Sequence, residues 1–333
     1  MARRMNDRVP AIAIGKNEGA RFLRCLASLA GKVDPVIYVD SGSTDGSVEA
    51  ARAAGAEVVT LDMSQPFTAA RARNAGLDRL QEIDPQGAYV QFLDGDCELQ
   101  DGWIETARAA LDADDGLAVV CGRRRERFPD ATIWNRLIDD EWDTPVGPAM
   151  DCGGDALIRR AALAEECYDP TVIAGEEPEM CYRMRKRGWR IERLDAEMTL
   201  HDAALTRLGQ VWKRAERAGH AYAEGAAMHG REPEGFRMAK VRALWVWVAL
   251  VLVTVLALVI LILAPSLWNA GLIGILLLVW PLQVLRLRFQ KGFSWEKALF
   301  LTFSKLPEAK GVLSFWVHRL VGRKRGLIDY KEA

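Results

Sequence analysis

Apolar residues in the first two hundred positions fall into short blocks of two kinds, and their alternation predicts the architecture. Val9–Ile14 is a nearly continuous apolar run of strand length. Ala20–Leu29 then sets Phe22, Leu23, Leu26 and Leu29 at helical spacing before a stop at Gly31. Pro35–Val39 predicts a second strand, Ser47–Ala54 a second helix ended by Gly55, and Ala56–Leu61 a third strand. Tyr89–Leu93 is mostly apolar or aromatic, as a strand covered on both faces is. Beyond it come a helix over Gly102–Leu111, a strand over Ala118–Phe128 with a strongly basic, exposed end, and a helix over Ile133–Trp142. A strand ends at Ile158, a helix runs between Gly175 and Gly188, and strand-like runs cover Trp189–Leu194 and Ala196–Leu200. Strands and helices alternating at short intervals imply right-handed βαβ units and a mostly parallel sheet.

The pattern then changes. Thr206–Met228 carries Leu208, Val211, Trp212, Ala215, Ala218, Tyr222 and Ala226 on one face and Lys213, Arg214, Arg217 and His220 elsewhere. It reads as an amphipathic helix, either on a membrane surface or packed on the preceding domain. Leu244–Ala264 and Leu267–Leu285 are uncharged, each long enough at about 1.5 Å per residue to cross or nearly cross about 30 Å of hydrocarbon. Pro265-Ser-Leu-Trp-Asn269 turns between them without charge. Arg237, Lys240 and Arg242 precede the pair and Arg286, Arg288 and Lys291 follow it, which puts both ends on the cytoplasmic side. Trp295–Phe303 and Val312–Val321 predict interfacial amphipathic helices ahead of the basic cluster Arg323-Lys-Arg325. The expected organisation is a catalytic domain over 1–235 (halves about 8–100 and 101–235), a transmembrane hairpin over 236–292, and an interfacial tail over 293–333.

Composition narrows the classes. The 333 residues carry a net charge of −1, so no overall field points to nucleic acid. The six cysteines include no C-x-x-C pair, which argues against a zinc ribbon or a disulfide framework and suits a reducing compartment. No apolar segment of signal-peptide length precedes Gly15, so the first domain is expected in the cytoplasm.

Candidate chemistry gathers at strand ends. Asp94-Gly95-Asp96 closes the Tyr89–Leu93 run, where open α/β sheets take their ligands. Gly95 lets the backbone turn so that both carboxylates converge. Mg²⁺ or Mn²⁺ takes one or two carboxylates together with phosphate oxygens; the plainer reading is a solvated acidic turn. Asp40 ends the second strand in the same way, able to accept from a base N–H or ribose hydroxyls. The stretch Asp40–Gly46 also reads as a turn capping the next helix through Thr44 or Asp45. Arg71 and Arg73 offer guanidinium forks to a diphosphate, or simply a solvated helix face. Gly153-Gly154 precede a strand at a place where backbone can approach a ligand closely. Glu176, Glu177 and Glu179 crowd a helix start around Pro178, and Arg185, Lys186 and Arg187 its end. The helix dipole alone explains that layout, which also fixes a carboxylate for general-base work. His201 ends a strand-like run, either as a structural hydrogen-bonder or as an imidazole completing a metal site.

Taken in order, Asn17-Glu18, Val39-Asp-Ser-Gly-Ser-Thr-Asp-Gly46, Ala72-Arg-Asn-Ala-Gly76, Phe92-Leu-Asp-Gly-Asp96, Gly153-Gly154 and Gly175-Glu-Glu followed by Arg-Lys-Arg-Gly-Trp189 resemble the family 2 glycosyltransferases, over roughly residues 8–230. The resemblance implies the GT-A fold, an α/β Rossmann-like mostly parallel sheet flanked by helices. It implies nucleotide-sugar contacts from Asn17, Glu18, Asp40, Arg73, Asp94, Gly153 and Gly154. Asp94 and Asp96 would form the DxD motif, with Asp96 the direct ligand of Mn²⁺ or Mg²⁺ and His201 beside it. Glu177 matches the catalytic base. The family has Asp at that position, and the extra methylene moves the carboxylate outward by about 1.5 Å, so Glu179 stands as the alternate base.

Two carboxylate-driven outcomes follow from that resemblance: metal-dependent transfer from a nucleoside-diphosphate sugar, and inversion at the anomeric carbon. The apolar helices point to membrane lipids and a lipid-linked or envelope glycan acceptor, at a bacterial inner membrane with the catalytic domain facing the cytoplasm. Two spans favour addition of one sugar over processive synthesis. Transfer to polyprenyl phosphate is the nearest alternative. A nucleotidyltransferase would carry a Gly-rich basic loop after strand one, where this chain has the short Gly15-Lys-Asn-Glu18. Intact Asp94, Asp96 and Glu177 argue against a non-catalytic membrane scaffold.

Overall fold

The structure, a computed structural model, describes residues 8–322, and the chain divides into two compact units, Met1–Ala204 and Leu205–Ala333. The first opens with β1 (Ala11–Gly15), α1 (Ala20–Leu29), β2 (Val36–Asp40), α2 (Ser47–Ala53), β3 (Glu57–Thr60), α3 (Ala69–Ile83) and β4 (Tyr89–Asp94). It continues through β5 (Cys97–Leu99), α4 (Trp103–Ala113), β6 (Leu117–Glu126), α5 (Ile133–Trp142), β7 (Gly147–Pro148) and β8 (Ala156–Arg159). α6 (Arg160–Glu165), α7 (Glu176–Lys186) and β9 (Arg190–His201) complete it.

All nine strands join one sheet in the order β3-β2-β1-β4-β8-β6-β9-β5, with β7 on β9. The half from β3 to β4 is parallel, β8 runs antiparallel to both neighbours, and β6 and β9 are parallel again. β1 lies between β2 and β4 with Ala11, Ile12 and Ala13 fully buried, which is why its sequence is a run and not an alternation. α3 lies so close to this sheet that a Cβ on Gly76 would stand 2.5 Å from Ile12 Cγ2. The buried Gln91 amide of β4 accepts from Trp103 Nε1 of α4 at 2.8 Å, satisfying two polar groups inside the core.

The expected strands and helices of this unit are present, with three differences. The two runs Trp189–Leu194 and Ala196–Leu200 are one strand, β9. β5 and β7 are too short to leave a period in the sequence. The basic end of β6 is not an exposed stripe. Arg123 is buried against Asp139, Arg124 turns toward Asp94 and Asp155, and Arg125 pairs with Glu197. Burial of guanidinium stems is tolerated because each head meets a carboxylate.

The second unit is helical: α8 (Leu208–His229), α9 (Met238–Leu263), α10 (Leu267–Gln290), α11 (Trp295–Phe303) and α12 (Lys305–Leu320). α8 packs on α12 at two glycines. A Cβ on Gly219 would stand 1.9 Å from the Glu308 carbonyl oxygen, and one on Gly311 2.1 Å from that of Glu216. Ala223, Ala226, Val241, Leu244 and Val312 form its small core. α9 and α10, 26 and 24 residues long, are long and apolar enough to cross a membrane and expose most of their apolar surface. Trp280 stacks on Phe303 at 5.5 Å between ring centroids and meets Trp247 at 4.8 Å with the rings tilted by 55°. α11 matches the expected span and α12 begins earlier, at Lys305; the cluster Arg323-Lys-Arg325 lies outside the described residues.

Candidate active site

Four parallel strands deliver their carboxyl ends to one edge of the sheet, and the loops there hold the acidic residues. After β1, Asn17 adopts a left-handed backbone (φ 53°) and its amide oxygen accepts from Thr44 N at 2.7 Å, while its own N–H donates to Ser43 Oγ at 2.9 Å. Glu18 pairs with Arg21 at 2.7 Å. Asp40, buried at the end of β2, accepts from Gly42 N at 2.9 Å, Ser43 N at 3.0 Å and the Tyr38 hydroxyl at 3.1 Å. Asp45, one residue before the Gly46 N-cap of α2, accepts from Ser47 N and Oγ, and ties in the first loop through Gly19 N at 2.7 Å. Asp40 therefore organises its own loop, while Asp45 ties the start of α2 to the loop after β1.

Arg73 is the hub of the cleft. Its α3 position places it beneath the end of β4, 2% exposed, with Nη2 3.0 Å from Asp94 Oδ1 and 2.9 Å from Glu177 Oε1, and Nη1 2.8 Å from Glu176 Oε1. The Tyr168 ring covers it. Arg124 holds the other oxygen of Asp94 at 3.4 Å and approaches Asp155 Oδ2 at 3.6 Å, its plane stacked on Trp142. Asp155, fully buried, accepts from Asp94 N at 3.0 Å and from Thr199 Oγ1 at 2.8 Å, and so fixes the strand end that carries Asp94.

Gly154 is required for this closeness: a Cβ there would sit 2.6 Å from Asp94 Oδ2 and 2.8 Å from Arg73 Nη2. Gly153 borders the same loop, its nearest neighbour Arg124 Nη1. Gly175 starts α7 from a left-handed backbone (φ 79°), which turns the chain so that Glu176 and Glu177 face Arg73 in the first helical turn. Glu179 is not brought to this cluster. It binds Arg183, four residues on, which also reaches Glu166.

Burial first, and then the adjacent Glu176 carboxylate, push Glu177 up to about 7 against the pull of Arg73. Asp96 points the other way from Asp94. Its Oδ2 is 3.3 Å from His201 Nε2, and the antiparallel register of β5 and β9 sets Cys97 directly opposite His201. Trp142 closes over the His201 ring edge-to-face at 4.6 Å.

A divalent cation fits these residues. Asp94, Asp155, Glu176 and Glu177 gather around two guanidiniums, Arg73 and Arg124, and the buried Asp96–His201 pair beside them offers oxygen and imidazole donors. Of the residues singled out in the sequence, Arg73, Asp94, Gly154 and Glu177 converge, with Asp96 and His201 beside them. Asn17, Glu18 and Asp40 line the neighbouring loops. Glu176 was read only as one of the acidic residues at a helix start, and Arg124, Trp142 and Asp155 were not anticipated; of these three, Asp155, next to Gly153-Gly154 before a strand, left a signal in the sequence.

Fold and site together define a GT-A type α/β domain. Residues 12–165, a little under half of the chain, match the family described as Glycosyl transferase family 2. Among curated relatives, a TPR repeat-containing protein of Synechococcus elongatus is 26% identical over 209 residues, 53% of this chain and 50% of that protein. Glycosyltransferase AglE of Haloferax volcanii is 30% identical over 123 residues, 34% of this chain and 38% of that protein. The chain thus spans half or less of these relatives. Among solved structures, the mannosyltransferase PcManGT from Pyrobaculum calidifontis, in complex with GDP-Man and Mn²⁺, superposes with a TM-score of 0.60 at 20% identity. The match covers 92% of this chain and 87% of that one, so the likeness is one of fold.

Proposed function

We propose that the protein transfers a sugar, with inversion, from a nucleoside-diphosphate sugar to an acceptor hydroxyl presented at a membrane, with Glu177 as the base. The observation that carries this reading is the Arg73 hub, which joins Asp94 of the DxD motif to Glu177 through one guanidinium, 2.9–3.0 Å from each. A general base works best with a pKa near the operating pH, and Glu177 stands at about 7. Arg73 locks the two carboxylates at a fixed separation, and Asp40, Asn17 and Ser43 shape the loop on the nucleoside side. Arg124 lies on Asp94 from the side opposite Arg73. Asp96 and His201, with Asp94 adjacent, would hold Mn²⁺ or Mg²⁺, which supplies charge against the departing diphosphate. The fold neighbour bound to GDP-Man and Mn²⁺ supports both the donor class and the metal.

The acceptor reading rests on α9 and α10. Lys240, Arg242, Arg286 and Arg288 ring one end of this pair and the Pro265–Asn269 turn carries no charge, so the hairpin of 236–292 enters and leaves on the cytoplasmic face of a bacterial inner membrane. The exposed Trp295, Leu299 and Phe303 of the 293–333 tail recur at helical spacing, as an interfacial helix requires. A lipid-linked or envelope glycan follows as acceptor, with one sugar added per encounter.

The test is a panel of nucleotide sugars with Mn²⁺ or Mg²⁺ and a membrane lipid extract, run on the full chain beside Asp96→Ala and Glu177→Gln. Release of nucleoside diphosphate should need the metal and fall at least about a hundredfold in each variant. Metal-independent release, or full turnover in both variants, rejects the assignment. Label transferred onto polyprenyl phosphate alone would redirect the acceptor.

A further inference from the structure

The residue after the DxD motif is a cysteine, and the fold turns it into the cleft. Cys97 Sγ lies 3.7 Å from Asp96 Oδ1, and Asp96 Oδ2 lies 3.3 Å from His201 Nε2. One donor atom from each of Asp96, Cys97 and His201 falls within 4.8 Å of the others, and all three residues are buried. We propose that Asp96, Cys97 and His201 form a thiolate–imidazole–carboxylate site that binds Zn²⁺ in place of the oxygen-preferring Mn²⁺ or Mg²⁺, so that zinc competes for the same cleft.

The argument is one of donor chemistry and distance. Zn²⁺ bonds of about 2.0–2.3 Å to N, O and S put donors about 3.3–3.8 Å apart at the corners of a tetrahedron. The separations from Asp96 Oδ1 to Cys97 Sγ and from Asp96 Oδ2 to His201 Nε2 fall in that range, and with all three donors within 4.8 Å of one another the set closes on a zinc ion by a turn of the Asp96 carboxylate and a shift of about 1 Å. Sulfur and imidazole favour zinc, whereas Mg²⁺ and Mn²⁺ gain nothing from a thiolate. His201 is more than nine-tenths buried and its Nδ1 has no hydrogen-bond partner. Among the described residues no group hydrogen-bonds to that nitrogen, while Nε2 faces Asp96. The pairing of β5 with β9 holds Cys97 and His201 in register, so the two ligands sit on sheet backbone instead of loops. Burial and the nearby Asp155, Asp96 and Asp94 carboxylates push the Cys97 thiol up, against the pull of Arg124 Nη2 at 3.3 Å, so the thiolate forms only as the metal takes its electron pair. On binding, the Cys97 S–H bond breaks, its electron pair forms the Zn–S bond, and the proton leaves to solvent. Three protein ligands leave a fourth tetrahedral position to water.

The inference rests on the metal reading of the same cleft, and its test separates the two. Full-length protein in detergent, stripped with chelator, is titrated with Co²⁺ as a spectroscopic stand-in for Zn²⁺ and then back-titrated with Zn²⁺. A near-ultraviolet sulfur-to-cobalt charge-transfer band is expected, bleached by one equivalent of zinc. It should vanish in the near-isosteric Cys97→Ser, weaken in His201→Gln, and persist in Cys152→Ser, which breaks up the buried Cys152–Cys181 thiol contact. Zinc affinity should fall more than about a hundredfold in Cys97→Ser, since loss of even an outer-shell partner costs 10–100-fold.

Mn²⁺ binding, followed by loss of the free-ion EPR signal, should survive Cys97→Ser and disappear in Asp96→Ala. No charge-transfer band in the wild type, or a band that survives Cys97→Ser, overturns the zinc site. A Cys97-dependent band in a protein that binds no Mn²⁺ at all upholds the zinc site and removes the Mn²⁺ reading instead.

Discussion

Replacing Arg73 by Met tests whether the hub holds the cleft together. The substitution keeps the stem that packs under Tyr168 and removes the guanidinium that touches Asp94, Glu176 and Glu177 together. Deleting one partner of a buried ion pair costs about 3–5 kcal/mol, because the other charge stays buried without compensation. Three carboxylates are affected unequally. Asp94 is 29% exposed and keeps Arg124, so it contributes least; Glu176 is 5% exposed and loses its 2.8 Å partner. Glu177 relieves part of its own cost by taking a proton, since it already stands at about 7. The net expectation at pH 8 is about 3–5 kcal/mol, roughly 6–20 °C in Tm for a unit of this size. The loss should be smaller at pH 6, where protonated carboxylates no longer need the guanidinium. Thermal melts of the full chain in detergent, read by near-ultraviolet circular dichroism at both pH values, measure it. Arg73→Lys, which keeps a point charge without the fork, should fall between. A shift at pH 8 too small to measure, or one that grows on acidification, would refute the reasoning.

The remaining predictions concern the base, its titration and two close contacts. Glu177→Gln should lower kcat by about 10²–10⁴-fold with folding intact, whereas Glu179→Gln should spare turnover and lower stability through Arg183 and Glu166; steady-state kinetics and melts on both variants separate the two carboxylates. Because Glu177 is raised to about 7, its proton-accepting form appears only as pH climbs, so kcat/KM should rise through that value and level off above it. Its effect on stability has the opposite sign: between 4.5 and about 7 the folded protein keeps a proton the unfolded chain has lost, so this group stabilises at low pH and ceases to as pH rises. Gly154→Ala should displace Asp94 or Arg73, raising KM for the nucleotide sugar well before it unfolds the domain. Gly311→Val should force α8 and α12 apart and cost the helical unit about 1–3 kcal/mol, seen as earlier unfolding in detergent with the donor site unchanged.

What the chain's pattern revealed, and what it hid, follows from the range of the interactions involved. The parallel half of the sheet was readable because β1, β2 and β4 are buried on both faces and must be continuous apolar runs; the same constraint located Asp40 and Asp94 at their ends. Glu177 was readable because a helix start is a local event marked by Gly175 and Pro178. Arg124 was not. Strand alternation should put it on the face opposite Arg123 and Arg125, but the pairing of β6 with β9 shifts register between Cys121 and Arg123 and again between Arg123 and Arg124. A bulge resets which side chains face inward, and it leaves no composition of its own in a run of three arginines. The same holds for β5: three residues carry no period, so nothing local says that Cys97 will face His201 across a strand pair 104 positions apart. The local reading thus found the acidic half of the cleft, which sits at strand and helix ends, and missed the residues that long-range pairing brings to it. Of those residues, Arg124 and Asp155 set how Asp94 is held, and Cys97 puts a sulfur donor beside Asp96 and His201.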